Sequence, residues 1–257
     1  MITAENEDSE SLAQWMLLLK NFNKNRPLPP HMLKKFEAYF VYFWKNDKNY
    51  AMSSEEDKEM LSELPNHIQS NIYREFLFKD FLDQFRVYFD LEKPAIYQDD
   101  SGSIKYFDWQ DLCYSGFMIR ILGSLEPRFY HAGEYILEEE EEVDEHLYII
   151  NRDARKPLNS TGCYTIGFKY DKDHKFFHVK LGPKTIIGGY ENIYGKKSEY
   201  FYKALMHVDA YGFRKEHMKP ILDDEPDFHN QIAHYLNEYY HNIIRKPMLA
   251  FKKNILS

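Results

Sequence analysis

The chain has 257 residues, a formal net charge of -8, and 44% hydrophobic and 17% aromatic residues. Enough apolar side chains are present to build a packed core, which excludes wholesale disorder, and the acidic balance excludes a general nucleic-acid binder, which would carry a basic stripe. The two cysteines, Cys113 and Cys163, exclude a disulfide scaffold and are typical of a reducing compartment.

The N-terminal residues do not resemble a secretory signal, because residues 1–10 are acidic rather than basic and then apolar. The longest apolar-leaning run, residues 36–44, contains Glu37 and is about half the length needed to span a bilayer. The sequence therefore predicts a soluble chain.

Two amphipathic helices open the chain. Residues 1–9 are polar and expected to fray, and apolar residues at helical spacing predict a helix over residues 10–23. A proline-rich elbow at residues 26–30 ends it, and an aromatic helix is predicted over residues 31–45. Because this hairpin has aromatic side chains on more than one helix face, we expect another subunit or the rest of the chain to bury part of it.

A third and a fourth helix are predicted from start and stop signals. Ser53 and Glu56 fit a capping box that opens the third helix. That helix ends at Pro65, which is well placed as the first residue of the fourth helix. Apolar residues at helical spacing extend the fourth helix to about Phe85.

Short alternating runs dominate the second half of the chain. Residues 92–103 are rich in turn formers, and a helix from Asp108 to Leu122 is expected to place Cys113 in the core. Residues 171–173 are predicted as a hairpin turn, and the chain closes with helices over residues 215–222 and 226–245 that end before Pro247. Strands are predicted at residues 135–137, 147–150, 163–170, 176–180, 200–205 and 209–213.

A Gly188-Gly189 corner lies between two of these β-like runs and precedes a polar loop, residues 191–198. Closely spaced backbone N–H groups at such a corner can cradle an anion if a short helix follows. The stretch from Leu181-Gly182-Pro183 to Ala204-Leu205-Met206-His207-Val208-Asp209 resembles the phosphate-binding cassette of the cyclic nucleotide-binding domain. That family reads Leu-Gly-Pro-Gly-Asp, two aromatics, Gly-Glu, a helical turn, an Arg-Ser-Ala-Thr-like strand and Ala-Leu-x-x-Val-Asp.

The resemblance covers residues 10–245. Arg26-Pro27-Leu28-Pro29-Pro30-His31-Met32 and Met60-Leu61-Ser62-Glu63-Leu64-Pro65 are similar to the C-linker of hyperpolarization-activated, cyclic nucleotide-gated and ether-à-go-go potassium channels. Leu125-Glu126-Pro127 and Tyr130-His131-Ala132-Gly133-Glu134 look like the start of that family's β-roll. The resemblance implies an α+β fold: a helical C-linker-like region over residues 1–105, then an antiparallel, cyclic nucleotide-binding-like β-roll with a C-terminal helix over residues 106–257.

The side chains that would hold a nucleotide differ from the family pattern. Ser198 stands where the family has the phosphate-binding Arg, and Gly189 stands where it has the ribose-binding Glu. Tyr200 and Phe201 replace small residues, and their rings would occupy the nucleotide's space. The residues that remain form a degenerate cassette: Gly188, Gly189, Glu191, Lys196, Lys197 and Ser198. We expect this cassette to hold no cofactor; the alternative is that it binds cAMP or cGMP.

The resemblance implies a cytoplasmic gating module of a tetrameric, potassium-type cation channel that does not respond to nucleotides. Its partners would be further copies of the chain or another protein subunit, contacted through the N-terminal helices. It would meet a membrane only through a pore outside this chain, and would lie at the cytoplasmic face of a membrane or in the cytosol. The alternatives are a stand-alone interaction subunit of a larger assembly and a working cAMP or cGMP sensor. In the ether-à-go-go branch a segment after the last helix fills the pocket, and Met248-Leu249-Ala250-Phe251 could do the same.

The remaining candidate sites have simpler interpretations. The acidic run of residues 138–142, with Asp144 and Glu145, could bind a cation or a basic partner but is more typical of a solvated turn. His234, Glu238 and His241 share a helix face at metal-capable spacing, without an evident fourth ligand. The familiar motifs of hydrolases, nucleotide-binding loops and zinc enzymes do not occur, so we expect a protein that is not an enzyme.

Overall fold

The computed structural model describes residues 2–22, 24, 26, 28–50, 54–89, 97–98, 104–105, 109–150, 162–170 and 174–256. The chain divides into two compact units, Met1–Tyr50 and Ala51–Ser257. The division thus falls after Tyr50, whereas the resemblance places it after residue 105. Within the described ranges, no helix has both the length and the hydropathy to cross a membrane.

The first unit is a hairpin of helix α1 (Ile2–Phe22) and helix α2 (Pro30–Asn46), as the sequence predicts. Residues 2–9 are helical, contrary to the expected fraying. The helices meet through Trp15 and Phe40, whose ring centroids are 5.5 Å apart, and Phe40 stacks on Trp44.

The second unit begins with helices that contact one another closely. Helix α3 (Glu55–Ser62) is capped by Ser54, which accepts a hydrogen bond from the Asp57 N–H, so the cap lies one residue after the expected Ser53. Ser53 itself lies outside the described residues. Pro65 is the N-cap of α4 rather than its first residue. The path continues through α4 (Asn66–Asn71), a π-helical turn (Ile72–Leu77) and α5 (Lys79–Phe89).

Two short strands, β1 (Tyr97–Gln98) and β2 (Ile104–Lys105), pair with each other. The other residues of the turn-rich segment 92–103 lie outside the described residues. Helix α6 (Leu112–Leu122) begins after Asp111, whose side chain accepts from the Tyr114 N–H. Cys113 is exposed rather than in the core, because the buried face of α6 begins at Tyr114.

Two four-stranded antiparallel sheets follow α6. One sheet has the order β3-β10-β5-β8 and the other β4-β9-β6-β7. All of the predicted strands are found. The residues of β3 were expected only to begin the β-roll and were not predicted as a strand. The expected turn at residues 171–173 lies outside the described residues. The strands are β3 (Glu126–Tyr130), β4 (Tyr135–Leu137), β5 (Glu145–Ile150), β6 (Tyr164–Lys169), β7 (Lys175–Leu181), β8 (Thr185–Ile187), β9 (Phe201–Ala204) and β10 (Val208–Arg214).

A short helix, α7 (Gly189–Tyr194), connects β8 to β9. Helices α8 (Lys215–Asp224) and α9 (Pro226–Tyr239) follow β10, and a π-helical turn (Tyr240–Arg245) leads directly into α10 (Lys246–Leu256). Pro247 therefore does not end the helical path, contrary to the prediction. It lies in the first turn of α10, immediately after the π-helical turn, where the hydrogen-bond ladder is already altered.

Two hydrophobic clusters form the core of this unit. In the first cluster, one face of the β3-β10-β5-β8 sheet packs against the helices, with Phe81 and Phe85 against Tyr148 and Tyr211. In the second cluster, side chains of both sheets meet one another and the last helices, including Tyr164, Tyr202, Tyr240 and Met248. The space between the sheets is thus part of the packed core.

Candidate functional site

The predicted Gly188-Gly189 corner lies at the junction of β8 and α7. Gly188 precedes α7 with φ 75°, a left-handed conformation in which a side chain is strained. An added Cβ at Gly188 would lie 2.8 Å from Val143 Cγ1, and one at Gly189 would lie 2.7 Å from Leu236 Cδ2. Both glycines therefore allow close packing, Gly188 against the β4–β5 connection and Gly189 against α9.

The polar loop predicted over residues 191–198 is helical in its first half. Glu191 and Asn192 lie in α7, and each is only 2% exposed. Burial, the main cause, raises the pKa of Glu191 to about 7; a backbone hydrogen bond partly opposes this rise, and the nearby Glu199 carboxylate adds a smaller increase. A carboxyl buried to this extent favours its neutral form.

The other predicted cassette residues differ in their burial and in their contacts. Ser198 is buried, and its hydroxyl donates to the Tyr200 carbonyl oxygen at 2.8 Å. Lys196 Nζ lies 2.6 Å from the Tyr190 hydroxyl and above the Tyr190 ring. Lys197 pairs its backbone with Glu142 as an isolated bridge, and its side chain is exposed.

The space between α7 and the C-terminal helices is closed. Tyr190 stacks on Tyr240 with ring centroids 4.3 Å apart and planes within 5°. The cavity left there measures about 10 Å³ and is lined by Gly189, Glu191 and Tyr239 among others. A small-molecule site usually needs several hundred Å³, whereas about 10 Å³ holds at most one water.

The C-terminal segment Met248–Phe251 packs against the two sheets with two of its four side chains. Met248 is fully buried in the cluster between the sheets. Phe251 packs on the same cluster, with its ring 3.9 Å from the His178 ring and 6.1 Å from the Phe168 ring. Leu249 and Ala250 are exposed, because α10 is a helix that turns only one face to the sheets.

Aromatic residues fill the space between the two sheets, but they are only partly the residues that the sequence predicts. Tyr200 belongs to the cluster between the sheets, as predicted. Phe201 lies on the opposite face of β9, where Lys175 Nζ is 4.3 Å from its ring, and Tyr202 takes the inner position. A strand turns alternate side chains to opposite faces, so this assignment depends on a register that the sequence left open. The contribution of Tyr240 was missed, since it is one of several tyrosines at the end of the predicted helix 226–245 and has no signal of its own.

A second, more open cleft of about 780 Å³ is lined by residues of the β4–β5 connection, by Ile187 and Gly188 before α7, and by the start of α8. On its wall, Arg128 Nη2 is 2.9 Å from Glu126 Oε2 and 3.0 Å from Glu145 Oε2, and Arg214 Nη2 is 2.9 Å from Glu126 Oε2. Burial lowers the pKa of Arg128, but the two carboxylates outweigh it and the pKa is raised. Gly212 leaves room for this pairing, because a Cβ there would lie 2.6 Å from Glu145 Oε2.

The remaining candidates keep their simpler interpretation. Glu138, Glu140, Glu141, Glu142 and Asp144 are exposed and belong to the connection between β4 and β5, as expected of a solvated turn. His234 and Glu238 are exposed on α9, while the His241 ring packs against Tyr190 and Tyr240. Within the described ranges, no group of three His, Cys, Asp or Glu side chains could hold a metal ion.

Comparisons with known proteins do not assign the chain to a family. No family of known proteins matches the sequence, and no curated protein is similar to it. Among solved structures, the N-terminal domain of a transcriptional regulator from Streptomyces coelicolor A3(2) matches over 45% of this chain and 73% of its own, at 13% identity and a TM-score of 0.35. A TM-score this low does not establish a shared fold.

Proposed function

We propose that the chain is a cytoplasmic gating module of a tetrameric, potassium-type cation channel, with a cyclic nucleotide-binding-like roll that no longer takes a nucleotide. The sheet orders β3-β10-β5-β8 and β4-β9-β6-β7 support a roll of eight strands in two sheets. The insertion of α7 between β8 and β9 supports it further, because the sequence resemblance places the phosphate-binding cassette at this position.

The observation that carries this proposal is the closed space beside α7. A working cyclic nucleotide site needs room for a base, a sugar and a phosphate, and a cationic or bidentate partner for the phosphate. The cavity beside α7 measures about 10 Å³, and Ser198 stands at the position of the expected Arg. These features favour a module that transmits force over a module that senses cAMP or cGMP.

The helical hairpin supports a role in assembly. Helix α2 buries none of its described side chains, and the hairpin leaves Trp15, Leu17, Phe22 and Val41 exposed. A helical hairpin with so many exposed apolar groups is typical of a surface that another protein covers. Further copies of the chain are the proposed partner, in the ring of four that the resemblance implies.

Size-exclusion chromatography with light scattering tests the proposed assembly. We expect the intact chain to form tetramers as its concentration rises. The combined substitutions Leu17→Asp and Val41→Asp should leave it monomeric, because a charge cannot be buried unpaired in an apolar interface. Leu112→Asp is the matched control, since Leu112 is 67% exposed in the second unit and Leu17 is 59% exposed in the hairpin. This control should assemble like the unchanged chain.

A monomer at every concentration would overturn the tetrameric module and favour the stand-alone interaction subunit. Equal loss of assembly in the Leu112→Asp control would show that the hairpin is not the contact surface. Circular dichroism of each variant confirms that the helices are intact before the masses are compared.

A further inference from the structure

Glu191 is a buried acid whose surroundings provide hydroxyl groups rather than a cation. Its Oε1 atom has no hydrogen-bond partner in the described part of the chain, and the same is true of the Tyr202 and Tyr240 hydroxyl oxygens. These two tyrosines are 0% and 1% exposed, and the Glu191 charge raises the pKa of both after the larger effect of burial. Three polar atoms without a hydrogen-bond partner, Glu191 Oε1 and the two tyrosine hydroxyl oxygens, therefore lie near the place where α7 meets the C-terminal helices, while the Glu191 carboxylate keeps a backbone hydrogen bond.

The cations around Glu191 have other partners. Lys196 donates to the Tyr190 hydroxyl, and Arg245 Nε lies 3.4 Å from Glu199 Oε2. Neither cation is paired with Glu191 in the described structure. The titratable and charged groups that face this junction come from the segment after α7 (Lys196, Glu199, Tyr200), from β9 (Tyr202), from α9 (Tyr239) and from the turn before α10 (Tyr240, His241, Arg245).

Helix α7 is the element that joins the roll to these last helices. Tyr190 stacks on Tyr240, the Tyr194 hydroxyl donates to the Ala233 carbonyl oxygen at 3.3 Å, and Gly189 packs against Leu236. Glu191 follows Tyr190 directly in the sequence. A charge on Glu191 thus arises within this contact, where no cation in the described structure offsets it.

We propose that Glu191 is a proton-operated latch: its neutral carboxyl holds α7 against the C-terminal helices, and its ionised form releases those helices, with α10, from the roll. This proposal rests on the filled roll of the proposed function and adds its regulation. Release would withdraw Met248 and Phe251 from the inner face of the sheets, so the latch couples proton concentration to the state of the roll.

The direction of the effect follows from the pKa of Glu191. The ordinary pKa of 4.5 applies when the junction is open, and burial raises it to about 7 when the junction is closed. The closed state therefore prefers the proton, and its advantage is lost as the pH rises through about 7. By proton linkage, opening should increase about tenfold between pH 6 and pH 8.

Hydrogen–deuterium exchange at pH 6 and pH 8 measures this opening, with each rate divided by the intrinsic rate of an unfolded peptide at the same pH. Normalised exchange in Gly189–Tyr194 and Lys246–Leu256 should rise about tenfold at pH 8, while β10 stays equally protected. Glu191→Gln should keep both segments protected at both pH values. Glu238→Gln, at an exposed carboxylate on α9, should behave as the unchanged chain.

Equal normalised exchange at pH 6 and pH 8 in the unchanged chain would overturn the latch, and so would a Glu191→Gln chain that keeps the pH dependence. If Glu191→Gln does not fold, the unchanged chain alone decides. Hydrogen–deuterium exchange measures the opening of α7 and α10 within each molecule. A chain that fails to form tetramers would therefore overturn the proposed assembly, but it would not alter the exchange expected here.

Discussion

Gly188 illustrates how one backbone conformation shapes the candidate site. Both Gly188 and Gly195 have positive φ, at 75° and 61°, but only Gly188 is crowded. An added methyl group at Gly188 would meet Val143 Cγ1 at 2.8 Å and the Glu145 carbonyl oxygen at 2.9 Å, whereas nothing lies within 4 Å at Gly195. Substitutions at these two glycines therefore separate the free-energy cost of backbone strain from the free-energy cost of a steric clash.

We expect Gly195→Ala to lower the free energy of unfolding by about 1 kcal/mol, from strain alone. Gly188→Ala should lower it by about 2–4 kcal/mol, because overpacking adds to the strain. Urea unfolding of both variants beside the unchanged chain provides the measurement. Equal losses at the two positions would contradict the close packing of the corner against the β4–β5 connection.

At the scale of single residues, the sequence predicted which residue types stand at the site better than it predicted their burial. The glycine corner and the lack of an Arg at Ser198 could be read directly from the pattern. The burial of Glu191 could not, because a carboxylate in a polar stretch normally predicts a solvated loop. The exposure of Cys113 and the shift of the cap from Ser53 to Ser54 depend on helix rotation and phase, which neighbouring residues of equal propensity do not determine.

At the scale of elements, α10 completes the core between the two sheets. Its residues Met248, Phe251 and Ile255 follow helical spacing and pack on the cluster between the sheets, in line with Tyr240 and Ile244. The π-helical turn before α10 carries the helical path past Pro247. A proline normally predicts a helix end, so the sequence alone could propose Met248–Phe251 as a filling segment but not its helical form.

Shortening Met248 tests whether α10 is part of the core. Met248→Ala should lower the free energy of unfolding by about 2–5 kcal/mol, because it leaves a cavity at a fully buried site. Leu249→Ala, at the neighbouring exposed position, should change it by no more than about 0.5 kcal/mol. Thermal and urea unfolding of the two variants give the comparison, and similar values for both would place α10 outside the core.

At the scale of the whole molecule, the α+β class and the order of helices and strands follow from periodicity and turn signals. The packing of Phe81 and Phe85 against Tyr148 does not, because it is a long-range contact that no local pattern encodes. The packing of the two sheets is likewise a long-range property. What the sequence provides is the alternation that makes each strand able to bury one face.

The central claim is that the chain's own side chains occupy the space where a cyclic nucleotide would bind. Titration with cAMP and with cGMP, followed by calorimetry and by the melting temperature, tests this most directly. We predict no saturable heat and no rise in melting temperature, because a ligand stabilises a fold only if it binds the folded state. A saturable rise with either nucleotide, abolished by a bulky substitution at Gly189, would contradict the claim.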